Sequence, residues 1–266
     1  EAYPAQVGKY LSTTNKKYTI VTMNNGKPGF SIERLLEDYL NFQREIETDL
    51  VLIKTGINNA SNKFYPLEAE DPIVKIKDVP SRRKVDLLNN TYVGPIFSYY
   101  MAWKLNRTSK AAMIGEKIRK DMSDNEEVER ALARAREYPK EFHDSLERLV
   151  KEIETRGSKV ILIPEPRNPY EKGKTDEEIS MIKAHTIAVQ SNWRAIKDVA
   201  EEQGVHYIEI YPFSIPEDFF LDFCHLNAEG CSIEAKIIAD YIIQQGLIPQ
   251  EMSRRKSEQE KLAQAN

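Results

Sequence analysis

Four short apolar runs punctuate the chain: YTIVTMN (Tyr18–Asn24), DLVLIKT (Asp49–Thr55), KVILIPE (Lys159–Glu165) and VHYIEIY (Val205–Tyr211). Each is rich in β-branched residues and bounded by turn residues or charges, which predicts strands. Runs apolar on both alternations suit parallel strands covered on both faces. Helical periodicity lies between and after them. Ile32, Leu35, Leu36, Tyr39 and Leu40 recur at helical spacing behind a candidate cap, Ser31. Phe142, Leu146, Leu149, Val150 and Ile153 form a second stripe, with Gly157 as its stop. Ile182, Thr186, Val189, Trp193, Ile196 and Ala200 form a third that ends at Gly204, and Ala235, Ile238, Ala239 and Ile242 form a fourth. Strands alternating with helices predict an α/β fold with a parallel sheet.

One connection breaks the alternation. Residues 56 to 158 are too many for a simple crossover. The stretch from about 60 to 136 therefore reads as a helical insertion. It holds an aromatic run with Tyr92, Phe97, Tyr99, Tyr100 and Trp103, and the charged helical stretch NEEVERALARAREY. The aromatic run reads first as the insertion's own small core. A substrate lid or a membrane-touching surface are the other readings. The expected layout is one domain over 1–245, carrying the insertion, and a polar tail over 246–266.

Composition narrows the function classes. The chain has 266 residues, 41% hydrophobic and 30% charged, with net charge −4. That suits a globular domain with a sizeable core, and it lacks the basic footprint of a nucleic-acid binder. The two cysteines, Cys224 and Cys231, do not make a disulfide framework or a cysteine-rich metal site. They read as small buried thiols, with a bond between them as the alternative. No run is long enough to span a bilayer.

In an open parallel sheet, ligands gather at the carboxyl ends of the strands. Behind the four runs come NNGKPGFS, GINNAS, PEPRNPYEKGK and, some ten residues on, DFCHLNAEG. Three of these loops hold what acyl transfer needs. A glycine lets its N–H approach a ligand closely, an asparagine amide can donate to a developing oxyanion, and an Asp can orient a general-base His. Each residue also has a plainer reading. Gly26 serves a tight turn, Asn58 bonds its own backbone, and His225 is an ordinary histidine. Glu165 and Arg167 read as a solvated loop, with substrate contact as the alternative.

Three segments in order resemble the SGNH (GDSL-type) hydrolase superfamily. NNGKPG resembles its glycine block through Gly26. GINN resembles its Gly-x-Asn-Asp block through Asn58. DFCH matches its Asp-x-x-His block through Asp222 and His225, and LNAEG resembles its entry to the last helix. The resemblance implies a flavodoxin-like three-layer α/β/α fold, with sheet order 2-1-3-4-5. It implies Asp222 and His225 as catalytic residues, Gly26 and Asn58 as the oxyanion hole, and no metal or other cofactor.

Two departures qualify it. Asn59 stands where the family usually has Asp, at a position that tunes loop geometry. The Gly-Asp-Ser block, which precedes the glycine block at the end of the first strand, is absent from these residues. YPAQVGKYL (Tyr3–Leu11) resembles the helix that follows it. The resemblance thus implies a chain that starts just downstream of its nucleophile and lacks its central strand. An empty slot between the strands at Tyr18 and Asp49, and poor stability of residues 1–266, are then expected.

The function so implied is a serine ester hydrolase acting on small-molecule, carbohydrate or lipid esters. A non-catalytic binding module that has lost its nucleophile, or an acyltransferase, are the alternatives. The sequence leaves the compartment open. An extracytoplasmic or membrane-anchored protein would fit if a segment precedes Glu1.

Overall fold

The computed structural model describes residues 3–14, 19–27, 29–64, 125–170, 176–210 and 214–248. The aromatic run of the insertion, and residues 249–266, lie outside them. The chain divides into two compact units, one of 1–60, 138–171 and 189–266, the other of 61–137 and 172–188.

The first unit is built on a parallel sheet of β1 (Leu50–Thr55), β2 (Lys159–Pro164) and β3 (His206–Tyr207), in that order. Lys159 to Pro164 pair one to one with Leu50 to Thr55. The last strand is shorter than its apolar run. Only two residues are in regular pairing, although the Ile208 N–H still donates to Leu162 O at 3.1 Å.

Helices cover both faces. Alternation along the strands divides the core accordingly. Ile161 and Ile163 face α1 (Tyr3–Thr14) and α7 (Ala228–Gln244), among Val7, Leu11, Ile238 and Ile242. Ile53, Val160 and Leu162 face α2 (Ile32–Asp38), α5 (Lys140–Glu154) and residues 189–203 of α6 (Asp176–Gln203). The α5 stripe is fully inward: Phe142, Leu146, Leu149, Val150 and Ile153 are all buried. Each such side chain stabilises the fold by about 1.5–3 kcal/mol. Gly157 (φ +84°) and Gly204 (φ +67°) end α5 and α6 in the left-handed conformation that glycine tolerates.

The first expected strand is not one. Residues 19–27 run without ladder partners, and Val21 and Met23 are 81% and 56% exposed. A strand needs a neighbour to satisfy its backbone, and among the described residues this segment pairs with none. It is held instead against α1. A Cβ added to Gly8 would meet the Thr22 side chain at 2.5 Å, so only glycine allows that approach. Ser31 also differs from expectation. It occupies the cap position of α2 without a capping side-chain bond. The capping oxygen is Asn59 Oδ1, which accepts the Ile32 N–H at 2.9 Å.

In the second unit, α4 (Asn125–Arg136) realises the charged stretch as a helix that buries Ala131, Leu132 and Ala135. Among the described residues no helix is long and apolar enough to cross a membrane.

Candidate active site

The loop of Asp222 to His225 is closed at its base. Phe220 and Leu226 form an antiparallel bridge, and the Leu221 N–H donates to His225 O at 2.7 Å. Within it, Asp222 Oδ1 accepts the N–H groups of Cys224 (2.9 Å) and His225 (2.8 Å). Its other oxygen, Oδ2, lies 2.7 Å from His225 Nδ1. Partial burial pushes the Asp222 carboxyl up, but the two N–H groups and the imidazole outweigh it and hold it below the usual carboxylate range. The carboxylate therefore fixes the imidazole through Nδ1 and leaves Nε2 for other partners. The pair is accessible, with the His225 side chain 70% and the Asp222 side chain 46% exposed. Directly behind it α7 begins, capped by Asn227 Oδ1, which accepts the Gly230 N–H at 2.9 Å.

Both cysteines are free thiols, so the disulfide alternative does not occur. Asp222, Cys224 and His225 place three potential metal-ligand atoms within 4.8 Å of one another. Burial, reinforced by the Asp222 charge, pushes the Cys224 thiol up to about 12, so it is protonated at neutral pH. Nδ1 faces the carboxylate, so Nε2 is the ring nitrogen left for proton transfer.

Asn58 stands in the first turn of α3 (Ile57–Phe64), where β1 turns sharply through Gly56 (φ +125°). Asn192 Nδ2 donates to Gly56 O at 2.6 Å and anchors that turn. The Asn58 amide donates to Phe30 O at 3.1 Å. The Gly26 N–H donates to Asn24 Oδ1 at 3.1 Å. Both donors that the sequence singles out are therefore engaged with their own surroundings.

Gly26 and Asn58 line one trench of about 790 Å³. Its walls are residues 19–27, Tyr3 and Val7 of α1, and the whole outer edge of β1. The ladder explains what that edge presents. Asp49 O accepts from Lys159, and Thr55 O accepts from Glu165, so the odd-numbered residues turn their backbone groups toward β2. Leu50, Leu52 and Lys54 turn theirs toward the trench. No backbone hydrogen bond joins them to residues 19–27 among the described residues. That edge of β1 is therefore unpaired among the described residues.

The loop after β2 is more than the solvated loop expected from sequence. The Glu165 carboxylate accepts the Ile57 N–H at 2.7 Å, next to Asn58. Arg167, 2% exposed, donates to Phe223 O at 3.0 Å, and Asn168 N donates to the same carbonyl at 2.7 Å. Residues 165–168 thus hold the Asn58 turn at one end and the Asp222–His225 loop at the other. The only hint in the sequence is a Glu between two prolines behind a buried strand, Pro164-Glu165-Pro166.

No protein-family model matches this chain, and no curated protein matches it in sequence. Solved structures do resemble it. LAE5, an alpha/beta hydrolase enzyme from the metagenome of Lake Arreo, Spain, is similar at TM-score 0.50 and 14% identity, over 94% of this chain and 83% of that one. A catalytic mutant of Axe2, an acetylxylan esterase from Geobacillus stearothermophilus, is similar at TM-score 0.49 and 16% identity, over 91% and 81%. At 14% identity the likeness to LAE5 is one of fold, and it agrees with the parallel sheet and its two helical layers.

Proposed function

We propose that the protein is a serine ester hydrolase whose nucleophile is carried ahead of residue 1, on a strand that lies in the trench beside β1. The Asp222–His225 pair is the observation that carries this reading. A carboxylate bonded to Nδ1, with Nε2 unengaged among the described residues in an accessible loop, is the arrangement a general base requires. The open edge of β1, with Gly26 and Asn58 lining the same trench, supports the position of the nucleophile.

In this reading the serine Oγ attacks the ester carbonyl carbon as its proton passes to His225 Nε2. The carbonyl oxygen becomes an oxyanion, met by the Gly26 N–H and the Asn58 amide once they release Asn24 and Phe30. His225 returns the proton to the departing alcohol, which leaves an acyl-enzyme. Water then attacks, His225 takes its proton, and the acid departs as serine recovers its hydrogen. Asp222 stays ionised throughout and orients the ring. The substrates are small-molecule, carbohydrate or lipid esters. An alcohol in place of water would make the same site an acyltransferase.

The engagement of both oxyanion donors favours one second reading, a binding module of the same fold without catalysis. Hydrolysis of p-nitrophenyl acetate by the product of the whole gene separates the two. The hydrolase reading expects turnover that falls about 10²-fold or more in His225→Ala, the range for losing a general base. Equal rates for the two proteins would reject it.

A further inference from the structure

The carboxyl of Glu165 stands where the candidate site meets the buried charges of the sheet. It closes the amino end of α3. Oε2 takes the Ile57 N–H at 2.7 Å, and the nearby Asn58 N–H adds a weaker pull on the carboxyl. These are two of the orphan donors that begin every helix. The α3 start has no capping side chain from its own sequence, since the residue ahead of it is Gly56. Glu165 is itself held through its backbone: its N–H donates to Thr55 O at 3.0 Å, and its C=O accepts the Trp193 indole at 3.0 Å. A fixed carboxyl therefore grips the residue whose side chain would meet the oxyanion.

We infer that Glu165 is a positioning residue that clamps the first turn of α3 and thereby sets the aim of the Asn58 amide. The inference rests on the reading of Asn58 as an oxyanion donor, and it adds a pH-dependent control on that donor. The Ile57 hydrogen bond and the pull of the Asn58 N–H favour the ionised carboxylate; a protonated carboxyl offers a weaker grip. Among the described residues, four titratable groups interact with it. Lys54 comes from β1, Glu234 from α7, Tyr3 from α1 and Cys224 from the loop before α7. Burial pushes the Glu165 carboxyl up to about 7, against the pull of the Ile57 N–H and the Lys54 charge, with Glu234 adding to the rise. The clamp therefore tightens and loosens near neutral pH.

The test uses the product of the whole gene and its Glu165→Gln variant. The first readout is the amide ¹⁵N shifts of Ile57 and Asn58 against pH. Wild type should show both moving together with one midpoint near 7, set by Glu165. Glu165→Gln should show neither. The second readout is ester turnover. Above that midpoint, kcat of the variant should fall roughly tenfold with KM unchanged, a fraction of the ~10²-fold loss on removing an oxyanion donor outright. The matching step in the wild-type pH profile should vanish. Amides that do not titrate, or that titrate alike in both proteins, overturn the clamp. So does a variant with wild-type kcat at every pH. Titrating amides in a protein that turns over no ester uphold the clamp and count against the hydrolase reading instead.

Discussion

Lys54 Nζ lies 2.7 Å from Glu234 Oε2, with the Glu234 side chain 1% exposed and the Tyr3 ring 4.6 Å below the ammonium. One ion pair thus pins the end of β1 to α7, with α1 alongside. Breaking such a pair leaves a charge stranded, whereas replacing both partners with apolar groups does not. Glu234→Ala should cost about 3 kcal/mol or more. Lys54→Met with Glu234→Leu should stay near wild type. Urea unfolding of the three proteins decides it, and equal losses in single and double variants would contradict the account.

Asn59 does the capping that Ser31 leaves undone. Its Oδ1 takes the Ile32 N–H, and its Nδ2 donates to both Glu33 oxygens at 3.1 and 3.0 Å. Asn59→Ala should therefore destabilise by about 1 kcal/mol, the usual worth of a cap. Ser31→Ala should change stability far less. Chemical denaturation midpoints compare the two, and a larger loss at Ser31 would refute the assignment.

Asp222 does two things at once, and substitution separates them. Asn keeps an oxygen for the Cys224 and His225 N–H groups but loses the charge that Nδ1 faces. Asp222→Asn should keep the loop fold and lose about 10²-fold or more in ester turnover. Its pH behaviour follows from its lowered carboxyl. The folded value lies below the unfolded one, so its stabilising share is present above about 4 and is lost as pH falls through the folded value. Exposure keeps that share small. Circular dichroism with a rate assay checks both halves, and a parallel loss of structure would show the loop depends on the charge.

The open edge of β1 predicts an exchange pattern. If a strand fills the trench in the whole-gene product, the amides of Leu50, Leu52 and Lys54 become ladder-bonded. They should then exchange within about tenfold of Val51, Ile53 and Thr55, since buried ladder amides open together. Amides at 50, 52 and 54 that exchange 100-fold faster or more, by the same reckoning, would mean the edge stays bare.

How much of this was legible in the sequence depends on what each signal encodes. Periodicity located the α5 and α7 stripes residue by residue, because burial on one helix face writes itself at three- and four-residue spacing. The apolar runs located β1 and β2 for the same kind of reason. The Tyr18–Asn24 run misled, because β propensity reports a surface fit for a neighbour rather than the presence of one. The His206 run was cut short in the same way: its pairing with β2 stops at Leu162, although β2 itself runs on to Pro164. Asp222 and His225 were legible since three residues suffice to bring them into contact. Glu165 was not, because its grip on Ile57 spans 108 positions and leaves no local mark. Asn59 capping α2 across 27 positions was hidden for that reason also.

The proposed chemistry turns on a serine ahead of Glu1 that His225 activates. Fluorophosphonate labelling of the whole-gene product, with the modified residue mapped by mass spectrometry, tests it most directly. One labelled serine is expected, upstream of Glu1, with loss of the label in His225→Ala. Absence of label, or a label on a serine within residues 1–266 that survives His225→Ala, would contradict it.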